Sequence, residues 1–121
     1  MLNPDGYAYS HTMDRFWSKN RGVSNVSECI GVNLNRNFPS YWKHGPSDPC
    51  HRSYKGPFPA SEPEVQSIVN YVQQKLENHT IMAISLHSFG QVFFLPYAGN
   101  ENSQHPDYQV DPLLKKISYL F

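Results

Sequence analysis

The segment from Ser61 to Leu86 constrains this chain more than any other, because an amphipathic helix pattern there runs almost directly into a short apolar run. Ser61-Glu62-Pro63-Glu64 carries the marks of a helix start: Ser61 stands as the cap, Glu64 completes a capping box, and Pro63 is tolerated in the first turn. Val65, Ile68, Val69, Val72 and Leu76 then recur at helical spacing on one face, with Gln66, Gln73, Gln74 and Lys75 on the other. After Asn78-His79 comes Ile81-Met82-Ala83-Ile84-Ser85-Leu86, nearly continuous in apolar residues, as a strand buried on both faces would be. A second strand is expected at Val92-Phe93-Phe94-Leu95-Pro96-Tyr97. Helix followed by buried strand is the pattern of an α/β protein, in which helices cover both faces of a sheet. His87-Ser88 falls at the carboxyl end of the first strand, the edge where ligands collect in such sheets. His87 is therefore either a metal ligand or a hydrogen-bonded structural histidine.

The chain has 121 residues, 39% of them hydrophobic and 14% aromatic, enough for one modest domain with its own core. Ten basic residues balance ten acidic ones, so no broad field recruits nucleic acid or an anionic membrane surface. The longest apolar runs stop well short of the roughly twenty residues a bilayer span needs. Met1 leads at once into Leu2-Asn3-Pro4-Asp5-Gly6, without the basic start and apolar centre of an export signal. The chain reads as if entered partway, and the helical pattern from Pro112 to Phe121 stops without a cap.

Asn3-Pro4-Asp5-Gly6 predicts a turn, and Tyr7-Ala8-Tyr9-Ser10 has strand character. Arg15, Lys19 and Arg21 gather around Phe16 and Trp17, either as the lining of a site for an anionic group or as a solvated strip. Cys29 and Cys50 enclose a loop crowded with Asn, Pro, Ser and Gly. A disulfide across its ends would stabilise by about 3 kcal/mol and imply an oxidising compartment; two free thiols are the alternative. The sequons at Asn25 and Asn78 fit a secreted setting. Pro39 to Ala60 is a long irregular stretch, of the kind that accompanies a disulfide or a binding function, and His44 and His51 read as loop residues in it.

In Gly31-Val32-Asn33-Leu34-Asn35-Arg36-Asn37-Phe38 an arginine sits between two asparagines. The guanidinium fork fits a carboxylate at two points, and a flanking amide adds a donor to the same oxygen pair. Asn35-Arg36 is thus a clamp for a small anion such as a peptide C-terminus, or else an ordinary surface arginine beside a turn residue.

Asn3-Pro4-Asp5-Gly6-Tyr7, Arg15-Phe16-Trp17, Cys29-Ile30-Gly31, Asn35-Arg36-Asn37, Cys50, Ser61-Glu62-Pro63-Glu64-Val65 and His87-Ser88-Phe89-Gly90-Gln91 together resemble, in the same order, signatures of the M14 zinc metallocarboxypeptidases of the A/B type. The resemblance implies a partial α/β/α sandwich with a mixed, mostly parallel sheet, residues 1–121 forming the central part of one catalytic domain. It implies zinc as cofactor, with His87 matching the later histidine ligand, and peptide or protein C-termini as substrate. Asn35 and Arg36 match the residues that bind the terminal carboxylate, Ser88 and Phe89 match positions lining the peptide subsites, and Cys29 and Cys50 match the family disulfide. The whole protein is read as an extracellular monomer. Its expected activity is release of C-terminal amino acids by metal-assisted hydrolysis.

One position departs from the pattern. Where the family usually has an arginine that stabilises the oxyanion, this chain has Ser18, and a hydroxyl supplies no cation. Losing one such donor costs on the order of a hundredfold or more in rate, so unless Lys19 or Arg21 substitutes, a slow enzyme or a non-catalytic secreted binding protein that keeps the clamp is expected. No His-x-x-Glu pair precedes Asn3 and the family's general base lies beyond Phe121, so the chain alone is expected neither to hold catalytic zinc tightly nor to cleave peptides.

Overall fold

The computed structural model describes residues 1–23, 27–40, 42–76, 84–87 and 91. Two compact units divide the chain, Met1–Ile81 and Met82–Phe121, and each is described by itself.

The first unit opens with helix α1, Pro4–Thr12, where the sequence suggests a turn and strand. Two local effects override the strand preference of Tyr7 and Tyr9. The Asn3 side chain accepts from the Gly6 amide at 3.0 Å, and Pro4 at the first helical position needs no amide partner. Tyr9 of α1 and Trp17 beyond it pack edge to face at 5.0 Å, and the Arg21 guanidinium lies 3.7 Å over the Tyr9 ring and 4.6 Å over Trp17.

The chain then doubles back. Asn20 donates from its backbone to the Val32 carbonyl, and Gly31 to that of Gly22, both at 2.9 Å. Gly31 takes φ +82°, and a Cβ there would strike the Asn20 carbonyl, so both the backbone angle and the close approach call for glycine. Helix α2, Leu34–Asn37, follows. The irregular stretch expected between Pro39 and Ala60 is present, with one 3-10 turn at Trp42–His44. It is tied by the Cys29–Cys50 disulfide, whose Cα atoms are 5.1 Å apart. Trp42 further donates through its indole Nε1 to the Lys55 carbonyl at 2.9 Å while the Lys55 ammonium sits 4.2 Å over the Trp42 ring.

Helix α3 spans Pro63–Tyr71 and widens into a π-helical turn at Val72–Leu76. Its cap is Glu62, without a side-chain cap bond, so the expected capping box on Ser61 does not form. The reason is competition: the Ser61 hydroxyl accepts from Asn37 Nδ2 at 2.9 Å and donates to Glu62 Oε1 at 2.7 Å. Of the apolar stripe, Val65 is fully buried, whereas Ile68 and Val72 are exposed. The apolar core of this unit is Val32, Leu34, Tyr54 and Val65, alongside the buried Asn20 and Asn37.

In the second unit the described residues are 84–87 and 91. Ile84 is 73% and Leu86 91% exposed, and no ladder partner for Ile84–Leu86 lies among the described residues; residues 81–83 of the expected buried strand lie outside them. A strand exists only through a ladder partner and buried faces only through covering layers. The described residues provide Ile84–Leu86 with neither. The strand expected at Val92 to Tyr97 and the helical pattern from Pro112 lie outside the described residues.

Candidate functional site

A helix of one turn is the device that presents Asn35 and Arg36. Asn33 caps α2, its side chain accepting from the Asn35 amide at 3.1 Å while its carbonyl accepts from the Arg36 amide at 2.8 Å. Residues three apart share a helix face, so Leu34 and Asn37 both turn inward and are buried, and Asn35 and Arg36 are left on the exposed side. The Arg36 guanidinium makes one marginal bond, Nη1 to the Asn35 carbonyl at 3.5 Å, and no other to the described residues. Its fork is open to a ligand.

Beneath the pair, Asn37 is 0% exposed. Its Nδ2 lies within donating reach of the Lys55 carbonyl at 2.8 Å, Ser61 Oγ at 2.9 Å and the Phe58 carbonyl at 3.2 Å, and its Oδ1 accepts from the Glu62 amide at 3.2 Å. Asn20, 1% exposed, is the counterpart: Oδ1 accepts from the Val32 amide at 2.7 Å, and Nδ2 donates to Glu62 Oε2 at 2.7 Å with Glu64 Oε1 at 3.2 Å. Glu62 therefore links the two buried amides, one on the segment that follows Ser18 and the other beside Arg36. Sequence reasoning missed all three. In sequence Asn20 is one polar residue of the cationic segment and Asn37 a flank of Arg36, and neither letter signals burial.

Ser18 is exposed on the wall of an open cavity of about 310 Å³, lined also by Phe16, Trp17, Lys19, Cys50 and Arg52. Neither expected substitute for the missing arginine is free. Lys19 is buried, with its ammonium donating to the Pro49 carbonyl at 2.7 Å, and burial pushes its pKa below the usual lysine value, with Asp48 partly offsetting the effect. Arg21 is stacked on Tyr9 and Trp17. Arg52, on the same cavity wall, makes no side-chain hydrogen bond to the described residues.

In the second unit, His87 Nε2 is 2.8 Å from Ser85 Oγ. Among the described residues no group of three or more His, Cys, Asp or Glu side chains is placed to hold a metal ion. A catalytic zinc takes three protein ligands, so His87 by itself does not make a site for it. Ser88 and Phe89, and the sequons at Asn25 and Asn78, lie outside the described residues.

The family model for peptidase M14, zinc carboxypeptidase, matches residues 1–120. The chain belongs to the M14 zinc carboxypeptidase family. Human carboxypeptidase A5 is 44% identical over 103 residues, covering 80% of this chain and 22% of that protein. Rat carboxypeptidase A1 is 37% identical over 117 residues, 95% of this chain and 27% of that protein. Among solved structures, bovine thrombin-activatable fibrinolysis inhibitor in complex with tick carboxypeptidase inhibitor superposes with a TM-score of 0.77 at 35% identity, covering 90% of this chain and 37% of that one. The M14 fold is α/β, in agreement with the fold class expected from helix and apolar run. This M14 chain spans about a quarter of the length of the curated relatives it matches. No helix among its described residues is long and apolar enough to cross a membrane.

Proposed function

We propose that residues 1–121 form the central part of one M14 catalytic domain, in a secreted and monomeric zinc metallocarboxypeptidase that releases C-terminal amino acids by metal-assisted hydrolysis. The observation that carries this reading is the open guanidinium of Arg36, exposed beside Asn35 on a turn whose other face is buried. Arg36 grips the substrate's terminal carboxylate at two points, and Asn35 adds a third donor. Ser88 and Phe89 line the subsites for the residues upstream, and His87 supplies one zinc ligand. No step of hydrolysis is assigned to this chain through zinc, because the described residues do not complete a site. The domain is an α/β/α sandwich with a mixed, mostly parallel sheet. The Cys29–Cys50 disulfide and the sequons at Asn25 and Asn78 support an extracellular setting.

A specific observation favours a second reading. With Ser18 in place of the oxyanion arginine, and Lys19 and Arg21 engaged elsewhere, the protein is a secreted carboxypeptidase-like binder that recognises C-termini without turnover. Ser18→Arg in the full-length protein separates the two. A gain in peptidase turnover of about a hundredfold identifies a weakened enzyme; no turnover in either form, with binding of free peptide C-termini retained, identifies a binder. Equal affinity for free and amidated C-termini would remove the clamp, and both readings with it.

A further inference from the structure

We propose that Asn37 is a positioning residue for the Asn35-Arg36 pair: its buried amide sets the angle at which the Arg36 guanidinium meets a terminal carboxylate. The inference rests on the reading of Arg36 as the clamp and identifies what aims it.

A four-residue helix cannot hold its own geometry, since nucleating a turn fixes several dihedrals for a single hydrogen bond. The orientation of α2 is imposed from outside. At its start, Asn33 donates from its backbone to the Tyr54 carbonyl at 2.9 Å and from Nδ2 to the Arg52 carbonyl at 3.3 Å. At its end, the grip comes from residues 55–62 and nearly all of it passes through Asn37. Besides the four side-chain contacts, the Asn37 carbonyl accepts from the Ala60 amide at 2.7 Å. The amide has two hydrogens for three acceptors, so one is shared, and rotating it to improve one bond weakens another. Gly56, at φ +87°, belongs to the same arrangement: a Cβ there would come within 2.6 Å of Asn37 Nδ2. The site is built around an asparagine, one residue from the charge.

Two-point recognition of a carboxylate is sensitive to angle in a way that simple charge attraction is not. A displacement of about 0.5 Å or 10–20° is enough to lose one of two parallel bonds. Loosening Asn37 therefore acts selectively on ligands with a free carboxylate. A merely structural role would lower the fraction of competent protein and leave the preference of the remainder unchanged.

The test is calorimetric titration of the full-length protein with an N-blocked dipeptide bearing a free C-terminus and with its C-terminal amide, in wild type, Asn37→Asp, Ser61→Ala and Arg36→Ala. Asn37→Asp keeps the shape but turns an acceptor toward the Lys55 and Phe58 carbonyls. It is expected to weaken binding of the acid by about tenfold, with the amide unchanged, and Ser61→Ala by about threefold. Arg36→Ala is expected to erase the preference. Because Asn37→Asp also adds a negative charge one residue from Arg36, which by itself disfavours a carboxylate ligand, the neutral Ser61→Ala is the deciding variant: an unchanged acid-to-amide ratio in it, while Arg36→Ala loses the ratio, overturns the inference. Should Asn37→Asp not fold by near-UV circular dichroism, the Ser61→Ala criterion stands unchanged. If Arg36→Ala keeps the ratio, the clamp reading itself fails, a distinct result.

Discussion

The side-chain amide of Asn20 donates to the Glu62 carboxylate at 2.7 Å, joining residues 42 apart in sequence. Glu64 Oε1 is 3.2 Å from the same nitrogen, so one buried amide holds two carboxylates together at the start of α3. Asn20→Ala removes it and also strands the Val32 amide; the expected loss is about 2–3 kcal/mol in urea unfolding. Asn20→Asp places a third carboxylate in the cluster. Like charges favour the protonated form in the folded state, so its stability is present at acid pH and falls as pH rises through the carboxylate range. Equal stability of wild type and Asn20→Asp at neutral pH would refute the role given to this amide.

The disulfide closes a loop with a sequence separation of 21. Replacing Cys29 and Cys50 by serine is expected to cost about 3 kcal/mol in the chain-entropy model. Because the bridge ties Cys50, inside the irregular stretch, back to Cys29 ahead of it, protease cutting between Pro39 and Ala60 should quicken in the variant. Unchanged cutting and an unchanged urea midpoint would show that the Trp42 and Lys55 contacts suffice to organise the loop.

Alkaline stability has two opposed contributions. Burial, then the nearby Glu62 carboxylate, hold the Tyr54 phenol above its ordinary value of 10.0. The unfolded chain loses that proton first, so the contribution of Tyr54 is intact below 10.0 and is lost as pH rises through the folded value. Lys19, pushed below its ordinary 10.5 by burial, loses its proton first in the folded state, so its contribution grows as pH approaches 10.5. Between about pH 9 and pH 11, Tyr54→Phe should lose less stability than wild type, as read by thermal melts. A steeper alkaline loss in Tyr54→Phe would contradict the burial of the phenol.

One imidazole is a poor home for zinc. The 121-residue chain alone is expected to give up zinc on dialysis and to release no amino acid from a peptide, and His87→Ala should change neither result. One equivalent of zinc retained through dialysis, or zinc-dependent release of C-terminal residues, would show that this chain carries more of the metal site than His87.

The sequence by itself determined the M14 family, because its motifs are carried by residue identity in a fixed order; it marked Cys29 and Cys50 for a bridge and Asn35-Arg36 for a clamp, and the structure decided that the thiols pair and that both clamp residues are exposed. The irregular loop, too, was legible from its prolines and cysteines. Local expectation fails where a distant partner outcompetes a near neighbour. Ser61 looked like a helix cap, yet Asn37, 24 residues earlier, takes its hydroxyl. Tyr7 to Ser10 looked like a strand, yet capping by Asn3 starts a helix. Lys19 and Arg21 looked like spare cations, yet a carbonyl and two aromatic rings engage them. Only the tertiary structure decided that Asn20 and Asn37 are buried hubs. An asparagine in a turn and one in a core are spelled alike, and what distinguishes them is which donors and acceptors the fold brings within about 3 Å.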